Sequence, residues 1–142
     1  MKKIILAAVV GFATLSSCQQ QSTKDSTQHQ ALSEEAIKIH DEIMPQISSF
    51  DRATLKIDSI LENLASLAQK DNSLDTAVVK SDLETLKTNL EDATDNMMSW
   101  MRDYAPDSTD VAYQKSEIEK VKVMKKQFED VSLESNTKLG KF

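Results

Sequence analysis

Residues 76–106, TAVVKSDLETLKTNLEDATDNMMSWMRDYAP, set Val79, Leu83, Leu86, Leu90, Ala93, Met97, Trp100 and Tyr104 on uninterrupted steps of four and three. That 3.5-residue period is the seam of a helix packed lengthwise against other helices. Asp75 or Thr76 supplies an N-cap, and Pro106 disfavours helix at Ala105, so the segment has a start and a stop. Upstream, Ala36, His40, Ile43, Ile47, Phe50, Thr54, Ile57, Leu61, Leu64 and Ala68 repeat the same steps behind Ser33 as N-cap. Ile37, Met44, Ile60 and Leu67 widen this stripe enough for more than one neighbour. Lys70 to Ser73 make the turn between the two. Downstream, Val111, Ile118, Val121, Met124, Phe128 and Val131 share one face after a cap at Asp107, Ser108 or Thr109. The thinner stripe and the dense lysines at 120, 122, 125 and 126 predict an outer helix, with Lys115–Glu119 and Lys125–Glu129 as i,i+4 pairs.

Short connections make consecutive helices antiparallel neighbours. The expected fold is therefore all-α: an up-down-up antiparallel three-helix bundle over residues 33–142, with helices at about 33–69, 76–104 and 108–136. Composition agrees. Of 142 residues only Gly11 and Gly140 are glycine and only Pro45 and Pro106 are proline. Tight hairpins, dinucleotide fingerprints and P-loops all need glycines that the interior lacks. Cys18 is the single thiol, and His29 and His40 are the two imidazoles. An intrachain disulfide framework and a zinc site of several Cys or His ligands are thereby excluded. No constellation for nucleophilic or acid–base catalysis is assembled, so no enzyme is expected.

The N-terminus reads as an address. Lys2 and Lys3 precede an apolar run from Ile4 to Ala13 and the small-residue string Leu15-Ser16-Ser17-Cys18. This is a secretory signal over residues 1–17, too short to span a bilayer. Its end, LSSC, resembles the lipobox of bacterial lipoproteins, which implies acylation of Cys18 and a membrane anchor through that lipid. Residues 18–32 then carry the lipidated cysteine and a flexible tether, QQQSTKDSTQHQA over 19–31. Loss of Lys2 and Lys3 leaves 15 basic against 23 acidic groups, a net charge of −8 that repels nucleic acid and anionic headgroups. The expected place is the cell envelope, at the outer membrane with the domain on the periplasmic side. The expected role is a non-enzymatic binding or structural module, with another envelope protein as partner and no cofactor.

One end of the bundle gathers softer chemistry. Centring the first turn on residue 72 brings Leu61 level with Leu83, Ile47 with Met97, Ile43 and Met44 with Trp100 and Met101, and His40 with Tyr104. His40, Met44, Met97, Met98 and Met101, shielded by Trp100 and Tyr104, then form a candidate Cu(I) site, because imidazole and thioether suit that ion where thiolates are lacking. The competing reading is a core end filled by methionines and aromatics, with His40 hydrogen-bonded to Tyr104 or a nearby carboxylate. Pro45 keeps the site reading in view, since a proline inside an unbroken heptad leaves the Asp41 carbonyl without its helical partner.

With the lipobox, the strings HDEIMPQI (His40 to Ile47) and MMSWM (Met97 to Met101) make the chain similar to a group of small helical lipoproteins of Bacteroidota-type bacteria. Some of these carry the automatic name viral A-type inclusion protein. The resemblance spans most of the mature chain, implies an envelope compartment and a helical fold, and brings no activity and no catalytic residue.

Overall fold

The computed structural model describes the backbone from Gln19 and the side chains from Thr27 onward; the signal segment and Cys18 lie outside the described residues. These residues form four helices, α1 (Gln19–Glu62), α2 (Leu64–Lys70), α3 (Thr76–Asp103) and α4 (Val111–Leu139), and no strand.

The first predicted helix is corrected at both ends. The helix expected to start behind Ser33 begins at Gln19, and Ser33 is a buried residue inside it and not its cap. The physical reason lies in the sequence that was read as too polar to order. Residues 19–44 contain no glycine or proline, and Gln, Lys, Ala and Glu carry small helix penalties. Extending a helix that tertiary packing has already nucleated costs far less than starting one. At 1.5 Å per residue α1 is about 66 Å long and α3 about 42 Å. At the other end Asn63 interrupts the helix: its Nδ2 donates to Ser59 O at 2.8 Å, a local bond that competes with the helical ladder. Pro45 leaves α1 unbroken and sits on the exposed side, with Ser48 Oγ donating to the Pro45 carbonyl at 3.2 Å.

Helix α3 matches its predicted span, with Asp75 accepting from the Ala77 and Val78 amides and Tyr104 already extended ahead of Pro106. Helix α4 starts later than expected, because the cap is Asp110, whose carboxylate accepts from the Ala112 and Tyr113 amides at 2.8 and 3.1 Å.

The core is built from the predicted seam positions, among them Ile43, Phe50 and Ile57 of α1, Leu86, Leu90 and Met97 of α3, and Val121 and Phe128 of α4. Asp58 pairs with Lys87 at 2.6 Å and His40 packs on Trp100, so residue numbers run in opposite directions along α1 and α3. Along α1 and α4 they run together, from Glu42–Lys125 at 2.6 Å through Gln46–Ser132 at 3.1 Å to Lys56–Leu139 at 2.9 Å.

Helix α4 is not an outer helix. It buries nine residues and has α1 as its most extensive partner, with Phe128 fully buried and stacked on Phe50 at 4.8 Å between ring centroids. Its lysines flank the buried face and reach across to α1: Lys122 meets Glu35 at 3.4 Å and Lys125 meets Glu42. Cross-helix partners thus replace the expected Lys125–Glu129 pair, and no Lys115–Glu119 pair forms among the described residues. Helix α4 also runs past its expected end at 136 to Leu139, where Gly140 caps it through its amide to Asn136 O and Lys56 Nζ donates to Leu139 O.

Candidate functional site

The chemistry-bearing side chains collect where α3 ends and α4 begins, because two short-range facts meet there. The α3 seam finishes with Trp100 and Tyr104, and the first turns of α4 return alongside carrying Tyr113, Gln114 and Glu117. Trp100 stacks on Tyr104 at 4.6 Å and 16°, Tyr104 on Tyr113 at 6.3 Å and 18°, and His40 closes the row against Trp100 at 5.8 Å and 32°. Trp100 is 8% exposed, and its Nε1 donates to Glu117 Oε2 at 2.9 Å. The side chain of Glu117 is itself 5% exposed and accepts from Lys120 Nζ at 2.7 Å through its other oxygen. Each carboxylate oxygen has a donor, as a buried charge requires.

Below the indole, the fully buried Gln114 ties the α3–α4 connection shut. Its Oε1 accepts from the Tyr104 hydroxyl at 2.8 Å, and its amide nitrogen lies 3.1, 3.2 and 3.1 Å from the carbonyls of Ala105, Pro106 and Ser108. Tyr113 accepts from the Ala105 amide at 2.8 Å. Burial pushes the Tyr104 phenol above its ordinary value, partly opposed by a hydrogen bond with Ser33.

Beside this network a groove of about 690 Å³ opens between α3 and α4. Trp100, Tyr113, Met124 and Val123 give it apolar walls, Val123 being 70% exposed, while Asp103, Glu117 and Glu119 place three carboxylates against the single cation Lys120. Elsewhere, direct ion pairs set the protonation behaviour. The hydrogen bond from Lys125 holds the Glu42 carboxyl below its ordinary value and raises the Lys125 ammonium in return.

The sequence-predicted site residues divide between core and surface. His40 reaches the aromatic row, but against Trp100 and not Tyr104, one helical turn from the expected register. Of the two partners expected for it, the nearby carboxylate is the one found: Nδ1 lies 3.0 Å from Asp41 Oδ1. Met44 is half-buried against the core and Met97 fully buried within it. Met98 and Met101 are 49% and 40% exposed, in contrast to Met97. Trp100 lines the groove between α3 and α4, Tyr104 stacks on the indole, and Pro45 faces solvent. No group of three His, Cys, Asp or Glu side chains among the described residues could hold a metal, and no described helix is long and apolar enough to cross a membrane.

Gln114 and Glu117 were missed. Gln114 fills the heptad slot between Val111 and Ile118, and a polar residue in an otherwise apolar seam was the legible signal. Glu117 lies beside the seam and carries no signal of its own. Compared with family models, curated proteins and solved structures, the chain matches none.

Proposed function

We propose that this chain is a lipid-anchored cell-envelope binding module, held by acylated Cys18 and engaging a basic, amphipathic segment of another envelope protein through the α3–α4 groove. In this reading α1 with α2, α3 and α4 form the three legs of an up-down-up bundle, and the N-terminal part of α1 sets it off from the membrane as a stiff spacer. The observation that carries the reading is the groove itself: an indole, a phenol and two apolar side chains beside a buried carboxylate and an acidic rim. Apolar walls with a few placed charges are how binding sites divide their work, area giving affinity and charge giving orientation. A lysine- or arginine-bearing helix answers both features, and the excess of acidic groups in the chain favours the same sign of partner.

The test is equilibrium binding of a defined peptide with alternating leucine and lysine faces to the full-length protein, followed by Trp100 emission, since Trp100 is the single tryptophan. Binding that weakens steeply with salt and is lost in Val123→Lys supports the proposal. Binding unchanged by Val123→Lys, or no binding, counts against it. Anchoring is tested separately by the mass of the mature N-terminus, which should carry acyl chains in the wild type and none in Cys18→Ala.

A further inference from the structure

His40 holds the one buried side-chain nitrogen or oxygen without a partner among the described residues, its Nε2. The other ring nitrogen is committed, since Nδ1 lies 3.0 Å from Asp41 Oδ1. A proton donated from Nδ1 to that carboxylate fixes the tautomer and leaves the buried Nε2 with a bare lone pair. Burying an acceptor with nothing to accept from is destabilising, so the arrangement needs a reason. A carboxylate behind one imidazole nitrogen and an open lone pair on the other is how proteins aim a metal-ligating histidine.

The neighbours specify the ion. The His40 ring is 5.8 Å from the Trp100 ring. Met44 stands one turn further along α1 on the same face, half-buried against the core. Because α1 and α3 run in opposite directions with His40 level with Trp100, the level of Met44 on α1 corresponds to that of Met97 on α3. Met97 is fully buried, three residues before Trp100 on the same side of α3. One imidazole and two thioethers, without a thiolate or a carboxylate among the ligands, form a soft donor set. A hard or divalent ion would arrive in this apolar setting with its charge uncompensated, whereas monovalent Cu(I) accepts low coordination and sulfur ligands.

We infer that His40 Nε2 and the thioethers of Met44 and Met97 bind one Cu(I) ion beneath the Trp100 indole, with Asp41 as the positioning residue behind the imidazole. Met98 and Met101 lie outside this site. The inference is independent of the groove, which opens on the Glu117 side of the indole.

The experiment is an anaerobic titration of the full-length protein with chelator-buffered Cu(I), read by Trp100 fluorescence and by X-ray absorption at the copper edge. The expected result is saturation at one equivalent with strong quenching, and a first shell of one nitrogen and two sulfurs. Met44→Leu and Met97→Leu, which keep volume, should each weaken binding at least about tenfold, as should His40→Leu. Asp41→Asn should weaken it about 10–100-fold without changing the ligands. Met98→Leu and Met101→Leu should bind as the wild type does. Circular dichroism identifies any variant that fails to fold; if His40→Leu does, Met44→Leu carries the test. Absence of saturable quenching, a first shell without nitrogen, or full affinity in Met44→Leu would overturn the site.

Discussion

Replacing Glu117 by leucine removes the acceptor for a buried indole. In the wild type Trp100 Nε1 donates to Glu117 Oε2 at 2.9 Å, and the indole is 8% exposed. Leucine supplies similar volume and no acceptor, so the N–H is left unpaired in a nearly dry place at a cost of about 1–3 kcal/mol. Lys120 also loses a partner, but it is 61% exposed and rehydrates, so it adds little to the loss. Glutamine at the same position keeps an acceptor oxygen for the indole and removes the charge, and should recover most of the stability. The expected order in urea denaturation, followed by far-ultraviolet circular dichroism, is wild type, then Glu117→Gln within about 1 kcal/mol, then Glu117→Leu at about 1–3 kcal/mol below wild type. Emission from Trp100 in the folded Leu variant should shift as the indole loses its fixed orientation. A Leu variant as stable as the wild type, or more stable, would refute the reasoning. It would mean that desolvating the carboxylate costs more than its hydrogen bonds return, as happens at some buried charges.

Other positions test other parts of the account. Phe128→Ala should cost about 3–5 kcal/mol by calorimetry or denaturant titration, because the ring is fully buried and stacked on Phe50; a loss under 1 kcal/mol would restore α4 to an outer position. Pro45→Ala should stabilise the protein by up to about 3 kcal/mol, since the proline is exposed inside a helix and alanine returns the missing amide; destabilisation would show that the proline serves packing. In Tyr113→Phe, ultraviolet titration of the remaining Tyr104 should give a midpoint above the ordinary 10.0, with stability lost as pH rises through that window because the fold retains the proton. A midpoint at or below 10.0 would contradict the burial of the phenol. The Glu42–Lys125 pair has two edges: its contribution is present above the ordinary carboxyl value of 4.5 and is lost as pH falls through the lowered value in the fold. The raised Lys125 ammonium keeps its part until pH climbs past the ordinary 10.5. The stability difference between Glu42→Gln and wild type should therefore vanish in acid, and a difference that persists at pH 2 would contradict the pairing.

The heptads made the helices legible, because an apolar period survives any detail of tertiary context. Val79 to Tyr104 gave α3 nearly to the residue. The same pattern said little about which helix lies where. The lysines of α4 looked like a solvated face, yet Lys122 and Lys125 border the most heavily packed side of the molecule and reach acids on α1 that are more than eighty residues away in sequence. A single helix cannot reveal such a partner. The start of α1 was misplaced for a related reason: polarity argues against a core, but α1 needs none beyond Leu32 once the packed part has nucleated it. At the site, Trp100 and Tyr104 were visible as large residues in a seam. Their polar partners were not, since Gln114 and Glu117 acquire meaning only when the α3–α4 connection brings them back beneath the rings.

The central claim is that the α3–α4 groove is the binding surface. Backbone amide chemical shifts of the isotope-labelled full-length protein, recorded as the leucine–lysine peptide is added, address it most directly. The account predicts saturable shifts concentrated at Trp100, Asp103, Tyr113 and Val123, with Leu55 on α1 unmoved. Shifts centred on α1, or none at saturating peptide, would contradict it.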